Sequence, residues 1–124
     1  MKRNYTKTNI EILRSIPNPV TNDYKIEINN PEVTFEGENE QPDFCNINIT
    51  FLPTEKVIEL KSLKQYFYQF RNMKFSYERI VNVIYDDIMT VYKPKMLKIT
   101  AKFNPRGGIS STLTVNSFGK GNRL

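Results

Sequence analysis

The sequence predicts an α+β domain: an antiparallel four-stranded sheet with two helices on one face. Three observations lead there. Apolar and polar residues alternate at period two in stretches toward both ends of the chain. Between residues 59 and 92 the apolar spacing lengthens to three and four, which is helical. Proline, glycine and asparagine clusters mark the changes of period.

Residues 1–22 are polar, contain Pro17 and Pro19, and predict an arm with a turn. Asp23-Tyr24-Lys25-Ile26-Glu27-Ile28 alternates like a half-buried strand, which Asn29-Asn30-Pro31 breaks. Residues 44–51 alternate again, with Cys45, Ile47, Ile49 and Phe51 on one face and Asn46, Asn48 and Thr50 on the other; Pro53 closes this strand. Over residues 59–71, Leu60, Leu63, Phe67 and Phe70 make a helical apolar face. A second helix follows Ser76 as N-cap, turns Tyr77, Val81, Ile84, Ile88 and Val91 inward, and stops at Lys93-Pro94. Residues 96–103 form a strand with Leu97, Ile99, Ala101 and Phe103 inward. Asn104-Pro105-Arg106-Gly107-Gly108 supplies a hairpin-type turn, and residues 109–115 form the last strand. The expectation is one domain over residues 23–117, after an arm of residues 1–22 and before a loose tail of residues 118–124. The order strand, strand, helix, helix, strand, strand leaves the sheet two open edges, which assembly of several copies into a barrel would remove.

Composition narrows the chemistry. At 124 residues the chain has room for one thin core. It lacks an apolar run approaching the ~20 residues of a membrane span, and its start lacks an apolar signal region, so a cytoplasmic home is expected. The formal charge of +5 suggests an anionic partner such as nucleic acid or a phosphorylated cofactor. There is no histidine, which removes the usual neutral-pH base, the commonest zinc ligand and any Cys-His or Ser-His couple. With a single cysteine, neither an intrachain disulfide nor a cysteine-rich zinc site is expected.

Several residues invite a choice between structural and chemical roles. Lys61, Lys64 and Arg71 fall within about a quadrant at ~100° per residue. With Arg106 beside two glycines they make either a solvated face or a cradle for phosphates. Glu78, in the first turn of the second helix, either complements the helix dipole or accepts two parallel hydrogen bonds from a guanine-like N–H edge. Glu59 poses the same pair of readings. Asp43 and Cys45 share a strand face about 7 Å apart. Cys45 is then either a small buried apolar residue or a nucleophile behind the acidic loop of residues 36–40.

Together these pieces resemble the NADPH-dependent 7-cyano-7-deazaguanine reductase family (QueF), of the tunnelling fold, from about Ile16 to Ile109. Glu59-Leu60-Lys61-Ser62-Leu63-Lys64-Gln65-Tyr66 is similar to that family's cofactor signature, and Gln41-Pro42-Asp43-Phe44 to the segment with its catalytic aspartate. Phe70-Arg71-Asn72, Glu78 with Val81-Asn82, and Phe103-Asn104-Pro105-Arg106-Gly107-Gly108-Ile109 follow in order. The resemblance implies a homo-oligomer with sites at subunit interfaces, and a nitrile reduced to an aminomethyl group in queuosine (modified tRNA base) biosynthesis. It implies Asp43 as the acid and Glu78 as the anchor of the deazaguanine, with Ile58, Glu59, Leu60 and Tyr77 beside it. It further implies Lys61, Ser62, Lys64 and Arg106 for the phosphates of NADPH, and no metal.

Two departures stand out. The family's Cys-Pro-x-Thr-Gly-Gln-Pro-Asp pattern puts its cysteine seven residues before the aspartate, where this chain has Glu36, a far poorer nucleophile toward a nitrile than a thiolate. The histidine before the anchoring glutamate is Tyr77 here. The resemblance therefore implies a divergent reductase, with Cys45 or an unrecognised group in place of the nucleophile. The alternative is a module that binds a purine or deazaguanine without reducing it. Amidine formation on tRNA, the archaeosine reaction, is less favoured because the phosphate-binding signature is retained.

Overall fold

The computed structural model describes residues 7–118. Eight strands and helices follow in the order β1 (Ser15–Pro17), β2 (Ile26–Glu36), β3 (Pro42–Leu52), β4 (Lys56–Ile58), α1 (Leu60–Tyr68), α2 (Tyr77–Tyr92), β5 (Met96–Arg106) and β6 (Ile109–Asn116). The main sheet has strand order β2-β3-β5-β6, antiparallel throughout. Period-two burial makes one face of it the core: Val33, Phe35, Cys45, Ile47, Ile49, Phe51, Leu97, Ile99, Ala101 and Phe103 are all buried. Helix α2 covers that face over β5 and β6, while α1 and the 3-10 turn Gln69–Asn72 cover it over β2. The opposite face is polar, and Asn29 there donates to the amide oxygens of Asn46 and Asn48 at 2.7 and 2.8 Å.

Strand β2 runs through Asn29-Asn30-Pro31 instead of ending before it. The register advances three residues on β2 (Asn30 to Val33) against two on β3 (Ile47 to Cys45), so one extra residue bulges out around Pro31. A bulge tolerates the missing proline N–H that an unbroken ladder would not. The α1 face is also rotated from expectation. Leu60, at the helix start, is 62% exposed, and Tyr66 is buried in its place with its hydroxyl donating to Asp87 at 2.6 Å. Helix α2 begins as expected, with the Ser76 hydroxyl accepting from the Arg79 N–H. It ends with Lys93 in the left-handed region (φ 47°) before Pro94. Its fully buried positions are Ile80, Val81, Ile84, Ile88 and Tyr92, so Tyr77 and Val91 flank the core.

The stretch expected to be a polar arm with a turn is bonded to the body where it is described. Strand β1 pairs antiparallel with β4, Leu13 is buried, and Arg14 accepts from the Tyr92 hydroxyl at 2.6 Å. Thr8 donates to Asp87 at 2.6 Å. Residues 1–6 of that arm, and residues 119–124 of the expected tail, lie outside the described residues. Among the described residues no helix is long and apolar enough to cross a membrane, and no acidic, cysteine or histidine cluster has metal-binding geometry.

Candidate functional site

The alternation that makes the buried sheet face also delivers a carboxylate to its end. Asp43 lies opposite Phe35 in the β2–β3 ladder, on the core side, so its side chain is only 6% exposed. Such burial demands partners. The Tyr77 hydroxyl donates to Oδ2 at 2.9 Å, and the Arg106 guanidinium reaches the same oxygen at 3.3 Å while also donating to the Pro42 carbonyl at 3.2 Å. Each partner arrives by a different route. Ser76 caps α2 and so sets the helix start that aims Tyr77, whose ring stacks on Phe103 at 3.8 Å and 8° and meets Phe35 edge-on. Arg106 ends β5 at a hairpin turned by Gly107 and Gly108, both at positive φ (58° and 81°) where glycine carries no steric cost.

These groups line a cleft of about 470 Å³, within the range of small-molecule sites, together with Gly37, Glu38, Asn39 and Glu78. Glu78 is exposed on the first turn of α2 and faces this cleft. Burial pushes the Tyr77 phenol above its usual range, and its bond to Asp43 adds to the rise while Arg106 opposes it. Tyr77 is therefore a hydrogen-bond donor here.

Cys45 is elsewhere. It lies one pleat deeper, paired with Val33 and Phe103 and fully buried, and burial first, then the charge of Asp43, pushes its thiol up to about 12. A thiol in that setting is a packing residue. Glu36 pairs with Pro42 on the opposite sheet face from Phe35 and Asp43 and does not line the cleft; its backbone is fixed by bonds to Met73 and Phe75.

The residues expected to hold a cofactor divide. Lys61 and Lys64, with Gln65, Tyr68 and Gln69, line a separate groove of about 430 Å³ on the exposed side of α1. Arg71 continues this basic strip and stacks on the Tyr68 ring at 4.4 Å. Ser62 is buried, accepting from the Arg14 N–H at 2.9 Å and donating to the Glu59 carbonyl at 2.7 Å, so its hydroxyl is committed to the fold. Arg106 belongs to the Asp43 cleft. Glu59 is the N-cap of α1, and the Ser62 N–H bond holds its carboxyl below the usual range. Ile58 is core and Leu60 exposed; within one chain neither lines the Asp43 cleft. The ion pair of Asp43 with Arg106 had no signal in the sequence beyond the glycine pair, because it joins residues far apart in the chain that meet only when β3 and β5 pair.

Comparison with known proteins agrees with this architecture. A family model described as QueF-like protein matches residues 42–121. A protein of Chlorobaculum parvum named NADPH-dependent 7-cyano-7-deazaguanine reductase is 44% identical over 110 residues, covering 87% of this chain and 95% of that protein. One of the same name from Chlorobium chlorochromatii is 41% identical over 109 residues, covering 86% and 94%. Among solved structures, the apo form of the archaeosine synthase QueF-Like superposes with a TM-score of 0.71 at 14% identity, over 77% of this chain and 94% of that one; this is a likeness of fold.

Proposed function

The chain belongs to the QueF-like protein family, and from that premise we propose that it is a 7-deazaguanine-binding protein whose site is the Asp43–Glu78 cleft. One observation carries the proposal. Glu78, Asp43 and Tyr77 converge on a single cleft, and the chain's only thiol is sealed beneath it. In this reading Glu78 accepts two parallel hydrogen bonds from the guanine-like edge, a charge-assisted pairing that fixes orientation. Tyr77 and Arg106 hold Asp43 toward the group at position 7. Among the described residues β6 and β2, the latter outside its bridge from Glu36 to Lys74, form the sheet edges, which supports assembly of several copies. A neighbouring copy would bring Leu60 and its flanks to the site.

A second reading is NADPH-dependent reduction of the 7-cyano group to an aminomethyl group, the queuosine-route reaction. It is favoured by the names of the relatives and by the Lys61–Lys64 groove. The groove fits the cofactor's phosphates: two exposed ammonium groups one helical turn apart suit multiply charged oxyanions. Bound there, NADPH would supply hydride. Among the described residues no activated nucleophile lines the cleft to prepare the nitrile for it, since Cys45 is buried with its thiol raised to about 12 and Glu36 faces away. Titrating guanine-type 7-deazapurines into wild type and Glu78→Gln tests the first reading. Measurable binding that falls at least about tenfold in the variant supports it. No binding of any such base to wild type overturns it. Oxidation of NADPH above background with 7-cyano-7-deazaguanine would establish the second.

A further inference from the structure

The charge of the cleft says more about its ligand than about a reaction. Three carboxylates, Glu38, Asp43 and Glu78, line it against one guanidinium, that of Arg106. Asp43 is the buried member at 6% exposure, whereas its counter-ion Arg106 has 45% of its side chain in solvent. Arg106 stands at a two-glycine hairpin tip and also donates to the Pro42 carbonyl and interacts with the Tyr77 hydroxyl. The buried carboxylate is thus held by the Tyr77 hydroxyl and by one half-exposed cation, the partner open to replacement.

Replacement has a requirement. Leaving a buried carboxylate without a cation is strongly unfavourable, so whatever displaces Arg106 must bring positive charge and N–H donors of its own. A nitrile brings neither: it is neutral and offers only an acceptor at nitrogen. An alkylammonium brings both, with three donors for Asp43 Oδ2 and the neighbouring oxygens. The absent thiolate points the same way, because a nitrile would be retained covalently by a cysteine, whereas an amine needs only a carboxylate.

We propose that the cleft selects a 7-deazaguanine bearing a cationic aminomethyl group over one bearing a nitrile, with the ligand's ammonium taking the place of Arg106 on Asp43. This rests on the deazaguanine reading above, and adds to it the class of substituent at position 7. Arg106 is then a specificity-determining residue whose guanidinium balances the charge of Asp43 until a ligand replaces it.

The test is calorimetric titration of the full-length chain at pH 7 with three bases: 7-aminomethyl-7-deazaguanine, 7-cyano-7-deazaguanine and guanine. The aminomethyl base is expected to bind at least about tenfold more tightly than the nitrile, the scale of one charge-assisted hydrogen bond. Arg106→Gln should tighten the amine and widen that ratio, and Asp43→Asn should abolish it. If the nitrile binds as tightly as the amine, the inference is overturned while the deazaguanine reading survives. If Arg106→Gln weakens the amine, the displacement is overturned. If none of the three bases binds, the deazaguanine reading itself fails. Should Asp43→Asn not fold, the wild-type ratio and Arg106→Gln still decide.

Discussion

Replacing Cys45 by alanine separates a packing role from a chemical one, and the burial of the sulfur sets the size of the effect. The thiol is raised from an ordinary 9.0 to about 12, by burial first and by Asp43 second. At pH 8 a group at 9.0 is about one-tenth thiolate, whereas one near 12 is about 10⁻⁴ thiolate, so alkylation of the folded protein should run roughly a thousandfold slower than that of the unfolded chain. The same shift makes a stability prediction with a definite sign. The folded state holds the proton more tightly than the unfolded state, so this contribution is fully present below pH 9 and is lost as pH rises from 9 toward 12. Between pH 8 and pH 10 the wild type should lose about 1.4 kcal/mol that Cys45→Ala does not. Buried Tyr66 and Tyr92 titrate with the same sign, but both are present in both proteins and cancel in the difference. Guanidinium unfolding of the pair at the two pH values measures it, and iodoacetamide labelling of native protein measures the first effect. Labelling within tenfold of the unfolded rate, or parallel pH profiles for the two proteins, would refute the assignment of Cys45 to the core.

Tyr77→Phe keeps the ring stacked on Phe103 but removes a donor from buried Asp43, and should lower stability by about 1–3 kcal/mol; an unchanged denaturation midpoint would mean that the hydroxyl bond is not made. Gly108→Ala puts a Cβ at φ 81° with open space around it, so its cost, about 1 kcal/mol in thermal unfolding, should come from backbone strain alone. Lys61→Ala with Lys64→Ala should weaken NADPH binding, followed by nicotinamide fluorescence, by at least about tenfold; an unaltered affinity would remove the α1 groove from the cofactor reading.

Much of the fold was legible because one buried face forces period two. Cys45, Ile47, Ile49 and Phe51 alternate cleanly, as do Leu97, Ile99, Ala101 and Phe103, and all eight are buried. What escaped has local causes. Pro31 reads as a terminator, but the bulge between Asn30 and Val33 absorbs it. Strands β1 and β4 are three residues each, too short to display a period. Tyr66 is hidden by its hydroxyl, which looks polar until Asp87 accepts from it. At the site, Asp43 and Glu78 stand out from local motifs. The ion pair between Asp43 and Arg106 does not, because it forms only when the β5–β6 hairpin folds back beside the start of β3, and Ser62 looks free for a phosphate until Arg14 and Glu59 are seen to occupy it.

Strand parity separates Asp43 from Glu36, and residue identity leaves no thiol among the described residues that line the cleft. Phe35 and Asp43 pair on the core side, so Glu36 and Pro42, one step along, fall on the other. In this chain Glu36 lies outside the cleft lining, with its backbone bonded to Met73 and Phe75. Cys45 has the right parity but the wrong depth, since moving two residues inward along β3 trades the open end of the sheet for the register with Val33 and Phe103. The chain positions that have both access and proximity are those of the connecting loop, where Glu38 and Asn39 line the cleft beside Gly37. One is a carboxylate and the other an amide, so the loop supplies acceptors where a covalent mechanism needs a thiolate. In the proposed reading Asp43 then meets a ligand beside a loop that holds a charged group more readily than it attacks a neutral one.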